Sequence, residues 1–345
     1  MADVSTVPQL YVGVDIAADT FTASWLAPGG TPSTPRTYDQ TPTGHTALQK
    51  RLQATAVSPP ATLVALEATG NYWVALAVAL HEAGYHVAVL NPRQAHHFAK
   101  AQLRRAKTDA LDARDLAQFA AALRPAPWVP PPAVYHEVRQ RLVARDGLLA
   151  MRTQVRNQRH ALLQWPVVIA AVRQHLDELI ADLDRRIASL DGEIAAALEA
   201  SAWAESLACL TSAPGIGLVT AAWLLVGTLN FALCAGPDAL TAYAGLAPVP
   251  RESGRRIRGR PAIGHDGNAR LRTALYMATL SAARYNPAIK TFYDRLRTAG
   301  KPLKVARCAA ARKLLHLAWA LGSKQQRFDP DHKQQQHKAL PQLAA

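Results

Sequence analysis

Two short apolar runs, Leu10-Tyr11-Val12-Gly13-Val14-Asp15 and Thr62-Leu63-Val64-Ala65-Leu66-Glu67, each close on a single carboxylate. Runs of this length, continuous rather than alternating and rich in β-branched residues, predict strands covered on both faces. That restricts the first third of the chain to an α/β arrangement and sets Asp15 and Glu67 at strand ends. Around them the pattern predicts two strands within 10–26 about a turn at Ala17–Asp19, a loop over Ala27–Pro35, helices over Thr43–Ala54 and Tyr72–Ala83, and a strand over Tyr85–Leu90 stopped by Asn91-Pro92.

Thr108 is placed to cap a helix running through Asp109, Asp112, Leu116 and Phe119 to Leu123, and acidic residues in its first turns suit the helix dipole. The spacing of three puts Asp109 and Asp112 on one face, able to share an ion. A second reading stands beside it: Asp109, Asp112 and Asp115 could pair with Lys107 and Arg114 on a solvated face. Four carboxylates at strand ends and on one helix face shift the balance toward metal-dependent phosphoryl transfer. Two Mg²⁺ ions roughly 4 Å apart need several shared carboxylate oxygens.

The 345 residues leave room for two domains, and the formal net charge of +14 points to a polyanionic partner. The charge is concentrated: residues 251–313 hold sixteen Lys or Arg against Glu252, Asp266 and Asp294, a local net of +13. Cys209, Cys234 and Cys308 are far apart and form no C-x-x-C pair, so neither a disulfide framework nor a zinc site is indicated. His96-His97 lacks partners at metal spacing, and Trp73, Trp203, Trp223 and Trp319 sit in apolar helical patterns as core residues. No apolar run reaches the roughly 18 residues of a membrane span and the N-terminus has no leader pattern, so a soluble cytoplasmic protein with no membrane contact is expected.

Five prolines between Pro125 and Pro132 predict an extended connector, followed by a long Arg-rich helix from Val134 to about Leu163 and a break at Gln164-Trp165-Pro166. From Val168 to Leu198 the positions Val172, Leu176, Leu179, Leu183, Ile187, Leu190, Ile194 and Leu198 step by three or four, the spacing of a coiled coil. An antiparallel hairpin within one subunit and an oligomerisation arm are both compatible with it. The first helix is basic and the second richer in Asp and Glu, so pairing across the helices is expected.

Beyond Trp203 the chain reads as helical, and its last twenty-odd residues as a disordered tail. Pro214-Gly215-Ile216-Gly217 is either a simple interhelical turn or a helix-hairpin-helix element whose Gly215 and Gly217 let backbone N–H groups approach a phosphate. Arg251-Glu252-Ser253-Gly254-Arg255-Arg256-Ile257-Arg258-Gly259-Arg260 reads first as a flexible loop gripping a nucleic-acid backbone. It also carries a serine framed by guanidinium groups, the equipment for attack on a phosphodiester.

Taken together, Tyr11-Val-Gly-Val-Asp15, Leu66-Glu67-Ala-Thr-Gly70-Asn-Tyr-Trp73 and Lys107-Thr-Asp109-Ala-Leu-Asp112-Ala-Arg114 resemble the DEDD transposases of the insertion-sequence one-ten family. Pro214–Gly217, Ala242–Pro248, Ser253-Gly254, Arg258–Pro261 and Gly267–Met277 resemble that family's second domain, so the likeness spans about residues 10–321. It implies an α/β plus all-α fold: a ribonuclease-H-like, RuvC-like domain over 8–132, a coiled-coil arm over 133–200, a mainly helical transposase domain over 201–322 with a helix-hairpin-helix-like element, and a tail over 323–345. It implies that Asp15, Glu67, Asp109 and Asp112 bind Mg²⁺ or Mn²⁺, two ions, and that Ser253 is a DNA nucleophile forming a 5′-phosphoserine. Lys107, Gly215, Gly217, Arg255, Arg256, Arg258, Arg260, Arg270 and Arg272 are the expected nucleic-acid contacts. The implied partners are donor and target DNA, a noncoding bridge RNA, and further copies of the chain, dimers assembling to tetramers with composite sites. Asp115 is expected outside the metal shell. The competing expectations are a structure-selective, Holliday-junction-resolvase-like endonuclease using water, and a binding protein without activity.

Overall fold

The structure, a computed structural model, describes residues 7–68, 70–101, 109–253, 257–264 and 266–331, with the backbone alone for 109–111, 250–253 and 257–261. The chain divides into two compact units, Met1–Pro130 and Pro131–Ala345.

The first unit is built on a five-stranded sheet. Strands β1 (Leu10–Ile16), β2 (Thr20–Leu26), β3 (Arg36–Asp39), β4 (Thr62–Glu67) and β5 (His86–Leu90) lie in the order β3-β2-β1-β4-β5. The hairpin half, β1 with β2 and β2 with β3, is antiparallel, whereas β1 with β4 and β4 with β5 are parallel. Parallel strands need crossovers, and the crossover helices cover the sheet. Helices α1 (Pro42–Gln53) and α2 (Trp73–Glu82) bury Leu48, Leu52, Leu76 and Leu80 against Val12, Val14, Val64 and Leu66 on one face. On the other face α4 (Asp109–Leu123) lays Leu116, Ala117, Phe119 and Ala120 against Tyr11, Leu63 and Ala65, with Phe98 of α3 (Pro92–Ala101) beside them.

Two elements differ from the sequence expectation. Strand β3 has no apolar signal because it is an edge strand, Arg-Thr-Tyr-Asp, with only Tyr38 partly covered. Helix α3 follows Asn91-Pro92 directly: the proline that ends a strand also serves as a helix first residue, where its missing N–H costs nothing. The proline-rich connector holds to the sheet through Trp128, whose N–H donates to Val87 O at 2.6 Å and whose ring meets Trp73 edge-on at 5.5 Å.

The second unit opens with two helices of 30 residues each, α5 (Ala133–Leu162) and α6 (Ala170–Glu199), packed as an antiparallel hairpin within the chain. Pairing across the helices is as expected: Arg141–Glu193, Arg145–Asp191, Arg152–Asp184, Arg156–Asp184 and Arg159–Asp177 run from the base toward the tip. Val138, Leu142, Ile194 and Leu198 at the base share one core with α7 (Ala204–Thr211), α8 (Leu218–Thr228), α9 (Pro237–Tyr243), α10 (Ala269–Tyr285), α11 (Pro287–Thr298) and α12 (Leu303–Lys324). Trp203 and Trp223 are buried in that core.

The Arg/Gly segment expected as a loop is instead a two-stranded antiparallel ladder, β6 (Pro248–Ser253) with β7 (Ile257–Ile263). Its arginines and prolines hide the strand signal, and because a two-stranded ribbon uses only one edge of each strand, proline is tolerated in it. Part of the expected tail over 323–345 is structured. Helix α12 runs to Lys324, Gln325 Nε2 donates to Ser206 Oγ at 2.7 Å, and the Phe328 N–H donates to Ser212 Oγ at 2.8 Å with its ring against the core. The remainder of the tail, 332–345, lies outside the described residues. No helix among the described residues is long and apolar enough to cross a membrane.

Candidate active site

The strand register brings the first two carboxylates together. In the parallel β1–β4 ladder Gly13 pairs with Ala65 and Val14 with Leu66, and one further step sets Asp15 beside Glu67. Alternation along the strands then fixes their side of the sheet. Tyr11, Gly13 and Asp15 follow one another on one face, as do Leu63, Ala65 and Glu67, and Tyr11, Leu63 and Ala65 pack in the layer of α4. Both carboxylates are half-buried at the C-terminal edge of parallel strands, the edge where open α/β sheets bind ligands.

Gly13 seats the helix that carries the other two. A methyl group there would overlap the backbone of Ala113 and Ala117, so α4 lies against β1 at a distance only glycine permits. Asp112, next to Ala113 and half-buried, is thereby held against the strand that carries Asp15 two residues on. Asp109 opens α4 one turn earlier, and its side chain lies outside the described atoms. Asp115 is buried on the same helix.

The donor set of Asp15, Glu67 and Asp112 is carboxylate oxygen alone, which suits a hard divalent cation. Among the described residues no three His, Cys, Asp or Glu side chains stand close enough to share an ion. The chemistry of the donors fits Mg²⁺ or Mn²⁺.

A residue the sequence did not flag organises the segment beyond Glu67. Gln40, in the β3–α1 connection, donates from Nε2 to Tyr72 O at 2.5 Å. Gly70 turns the chain at φ +59°, a left-handed conformation, and Tyr72 is left exposed. Nothing in the sequence signals that Gln40 reaches across 32 residues.

In the second unit the expected contacts separate into distinct groups. Ser253 is the last residue of β6, paired in register with Ile257, and Arg258 is paired with Glu252. Arg258 and Arg260 lie on β7, and their side chains, like that of Ser253, are outside the described atoms. Lys107, Arg255 and Arg256 lie outside the described residues altogether. Arg270 is engaged internally: Nη1 meets Asp146 Oδ2 of α5 at 2.6 Å and the guanidinium stands 5.0 Å over the Trp223 ring. Arg272 braces the turn before α10, donating to Asp266 O at 2.8 Å.

The Pro214–Gly217 turn joins α7 to α8. Gly215 is left-handed at φ +101°, and a methyl group on it would stand 2.7 Å from Cα of Ala282, so its immediate role is packing against α10. Asn286, fully buried, fastens the turn by donating from Nδ2 to Pro214 O at 3.2 Å while capping α11 through Ile289 N. Gly217 differs: it is the N-cap residue of α8, and a methyl group there would meet open space.

Two family models match the chain, the first of them running across the boundary at Pro130 and through α5. Residues 12–165 match the family model of the IS110-type DEDD domain, described as a transposase. Residues 207–294 match a second model, described as transposase, IS116/IS110/IS902 family. The chain is 31% identical over 324 residues to a pilin gene-inverting protein of Moraxella bovis, covering 93% of this chain and 98% of that protein. The corresponding protein of Moraxella lacunata is 30% identical over the same length. An uncharacterized 42 kDa protein of insertion element IS900 from Mycobacterium paratuberculosis is 34% identical over 177 residues, 51% of this chain and 43% of that one.

Proposed function

Because the chain belongs to the IS116/IS110/IS902 family of DEDD transposases, enzymes that cleave and rejoin DNA, we propose that it exchanges DNA strands through a covalent serine intermediate. The observation that carries the reading is the juxtaposition of Asp15 and Glu67 by the β1–β4 register with α4 seated against them by Gly13. The order β3-β2-β1-β4-β5, with two hairpin partners on one side of β1 and two parallel strands on the other, supports a ribonuclease-H-like, RuvC-like unit over 8–132.

Asp15, Glu67, Asp109 and Asp112 are the groups that would hold two Mg²⁺ or Mn²⁺ ions. Such ions, when bound, supply Lewis-acid stabilisation of the charge that builds on the phosphate. The chain's own residues do the rest. The Ser253 oxygen attacks phosphorus, a P–O bond to the ribose 3′ oxygen breaks, and the proton given up by serine is matched by the one taken up by that oxygen. The 5′ phosphate stays on Ser253 until a second 3′ hydroxyl attacks it, frees the serine and closes a new phosphodiester, so no bond is lost to water. Glu67 and Asp15 are held by buried strands and need no ordering when substrate arrives.

Lys107, Gly217, Arg255, Arg256, Arg258 and Arg260 hold the nucleic-acid backbone. Gly215, Arg270 and Arg272 act one step back, by fixing the α7–α8 turn and the start of α10. Donor and target DNA are chosen by pairing with a noncoding bridge RNA, in the cytoplasm, and the α5–α6 arm over 133–200 joins copies into dimers and tetramers. The transposase unit over 201–322 carries Ser253. Inversion of a defined DNA segment, as the Moraxella relatives' name describes, is a reaction such an enzyme performs.

The test is cleavage and strand exchange of element-end DNA, with the noncoding RNA encoded beside the gene supplied, with and without Mg²⁺, by the wild type, Asp15→Ala and Ser253→Ala proteins. Strand exchange that needs Mg²⁺ and is lost in both variants is expected. Cleavage that persists in Ser253→Ala overturns the serine mechanism in favour of a nuclease using water.

A further inference from the structure

The structure redistributes the positive charge of the C-terminal half. On α5 the arginines 141, 145, 152, 156 and 159 are matched by acids of α6, and Arg270 and Arg272 brace the fold. What stays unmatched collects elsewhere. Residues 284–313 carry nine Lys or Arg against Asp294 alone, and that aspartate is taken by Lys290 at 2.7 Å.

Apart from Lys290 and the exposed Arg284 in the last turn of α10, the basic side chains of this stretch fall into two groups. The hydroxyls of Tyr276 and Tyr293 beside Arg307 hold its guanidinium above its ordinary pKa, Arg312 pairs with Asp238, and Lys313 stands 4.5 Å over the Phe292 ring. Arg295, Arg297, Lys301 and Lys304 are exposed, on the last turn of α11, the connecting turn and the first turn of α12, with no acidic partner among the described residues. The turn itself is held: Arg297 Nη1 donates to Lys301 O at 2.6 Å, and Gly300 takes φ +74°.

Four unpaired cations on one ordered corner repel one another, a cost that an anionic partner removes. At the corner itself no aromatic ring is available for stacking, because Phe292 and Tyr293 are half-buried and already face cations, with Arg295 5.3 Å over Phe292, and the exposed Tyr285 lies beyond the opposite end of α11. A charged surface with no stacking platform suits a strand whose bases are turned inward, in a duplex, and not a single strand that presents its bases. We propose that the α11–α12 corner is a sequence-independent docking surface for the phosphate backbone of duplex DNA, separate from the β6–β7 ribbon that carries Ser253. The inference rests on the reading that this chain acts on DNA.

The test uses the full chain and a random-sequence DNA duplex of about 30 base pairs, with affinity measured between about 50 and 200 mM KCl. The variant is Arg295→Gln/Lys301→Gln/Lys304→Gln, which leaves Arg297 and its bond to Lys301 O in place. At about 0.9 per phosphate, three lost contacts lower the slope of log K against log salt by about 2.7, so over this range the wild type loses roughly 40-fold more affinity than the variant. The charge-preserving variant Arg295→Lys/Lys301→Arg/Lys304→Arg is expected to keep the wild-type slope. A triple-Gln slope equal to wild type overturns the proposal, as does a loss shared by the charge-preserving variant, or one confined to duplex RNA of the same length. A wild type without salt-dependent affinity for duplex DNA overturns the DNA reading itself, and this surface with it.

Discussion

Replacing Gly13 by alanine tests the link between packing and chemistry in the first unit. The added methyl would stand 2.8 Å from the Leu116 carbonyl carbon, with the Ala113 and Ala117 backbones nearer still. Non-bonded heavy atoms settle at about 3.5 Å, so α4 has to retreat from β1 by on the order of 1 Å. The obstructing atoms are backbone and cannot rotate away. Overpacking of this kind costs about 1 to 3 kcal/mol, which lowers the melting temperature of the first unit by roughly 3 to 15 °C. The catalytic effect is larger, because Asp112 moves with the helix and a displacement of about 1 Å at a reacting centre costs around 10²-fold in rate. Leu52→Ala is the control: it empties a buried site on α1, on the far face of the sheet, at about 2 to 5 kcal/mol, and leaves α4 seated. Thermal unfolding and single-turnover cleavage, both below the variants' melting range, report the two effects. Gly13→Ala that melts early but cleaves like wild type refutes the positioning argument, and so does Leu52→Ala losing as much rate as Gly13→Ala.

Asn286→Ala removes both the bond to Pro214 O and the α11 cap, and is expected to destabilise the second unit by about 2 kcal/mol, read by denaturant unfolding. Burial holds the His45 imidazole below its ordinary value, and its Nε2 has no hydrogen-bond partner among the described residues. Above about pH 6.5 both folded and unfolded states are neutral there; as pH falls below that value the unfolded chain takes up a proton the folded one resists, so the first unit loses stability. A melting scan from about pH 7 to 5 on wild type and His45→Phe checks this, the variant showing the weaker dependence. Asp184 is held below the usual carboxylate range first by its hydrogen bond from Arg152 and also by Arg156, so the α5–α6 pairing stabilises the hairpin above the unfolded pKa near 3.8 and fades as pH falls through the folded one. Asp184→Asn is expected to flatten the acid limb of helix unfolding followed by circular dichroism.

Much of this architecture is legible in the sequence for a physical reason. Val12, Val14, Val64 and Leu66 mark covered strands because both faces of the sheet are packed, and Leu183, Ile187, Ile194 and Leu198 mark the inner face of α6 by spacing alone, whereas Val172 and Leu179 of the same series are exposed and Ile180, outside it, is buried. The exposed edge strand β3 and the arginine-rich β6–β7 ribbon are invisible to the same reasoning, since neither depends on apolar burial for its pairing. At the site, Asp15 and Glu67 follow from where two strands end, but their pairing needs the β1–β4 register, and the seating of α4 needs Gly13, neither of which composition reveals. The internal roles of Arg270 and Arg272 are hidden for the opposite reason. A guanidinium's contacts within its own fold leave no mark in a sequence, and those of Arg270 with Asp146 and Trp223 and of Arg272 with Asp266 O are visible only in the structure.

The central claim is that DNA passes through a bond to Ser253. Wild-type protein incubated with Mg²⁺, the noncoding RNA encoded beside the gene and a suicide substrate nicked just beyond the cleavage position, then denatured, digested and analysed by mass spectrometry, tests it directly. A peptide containing Ser253 that carries a nucleotide through its 5′ phosphate is expected, and is missing from the Asp15→Ala protein. Cleaved DNA with free 5′ phosphates and an unmodified Ser253 peptide contradicts it.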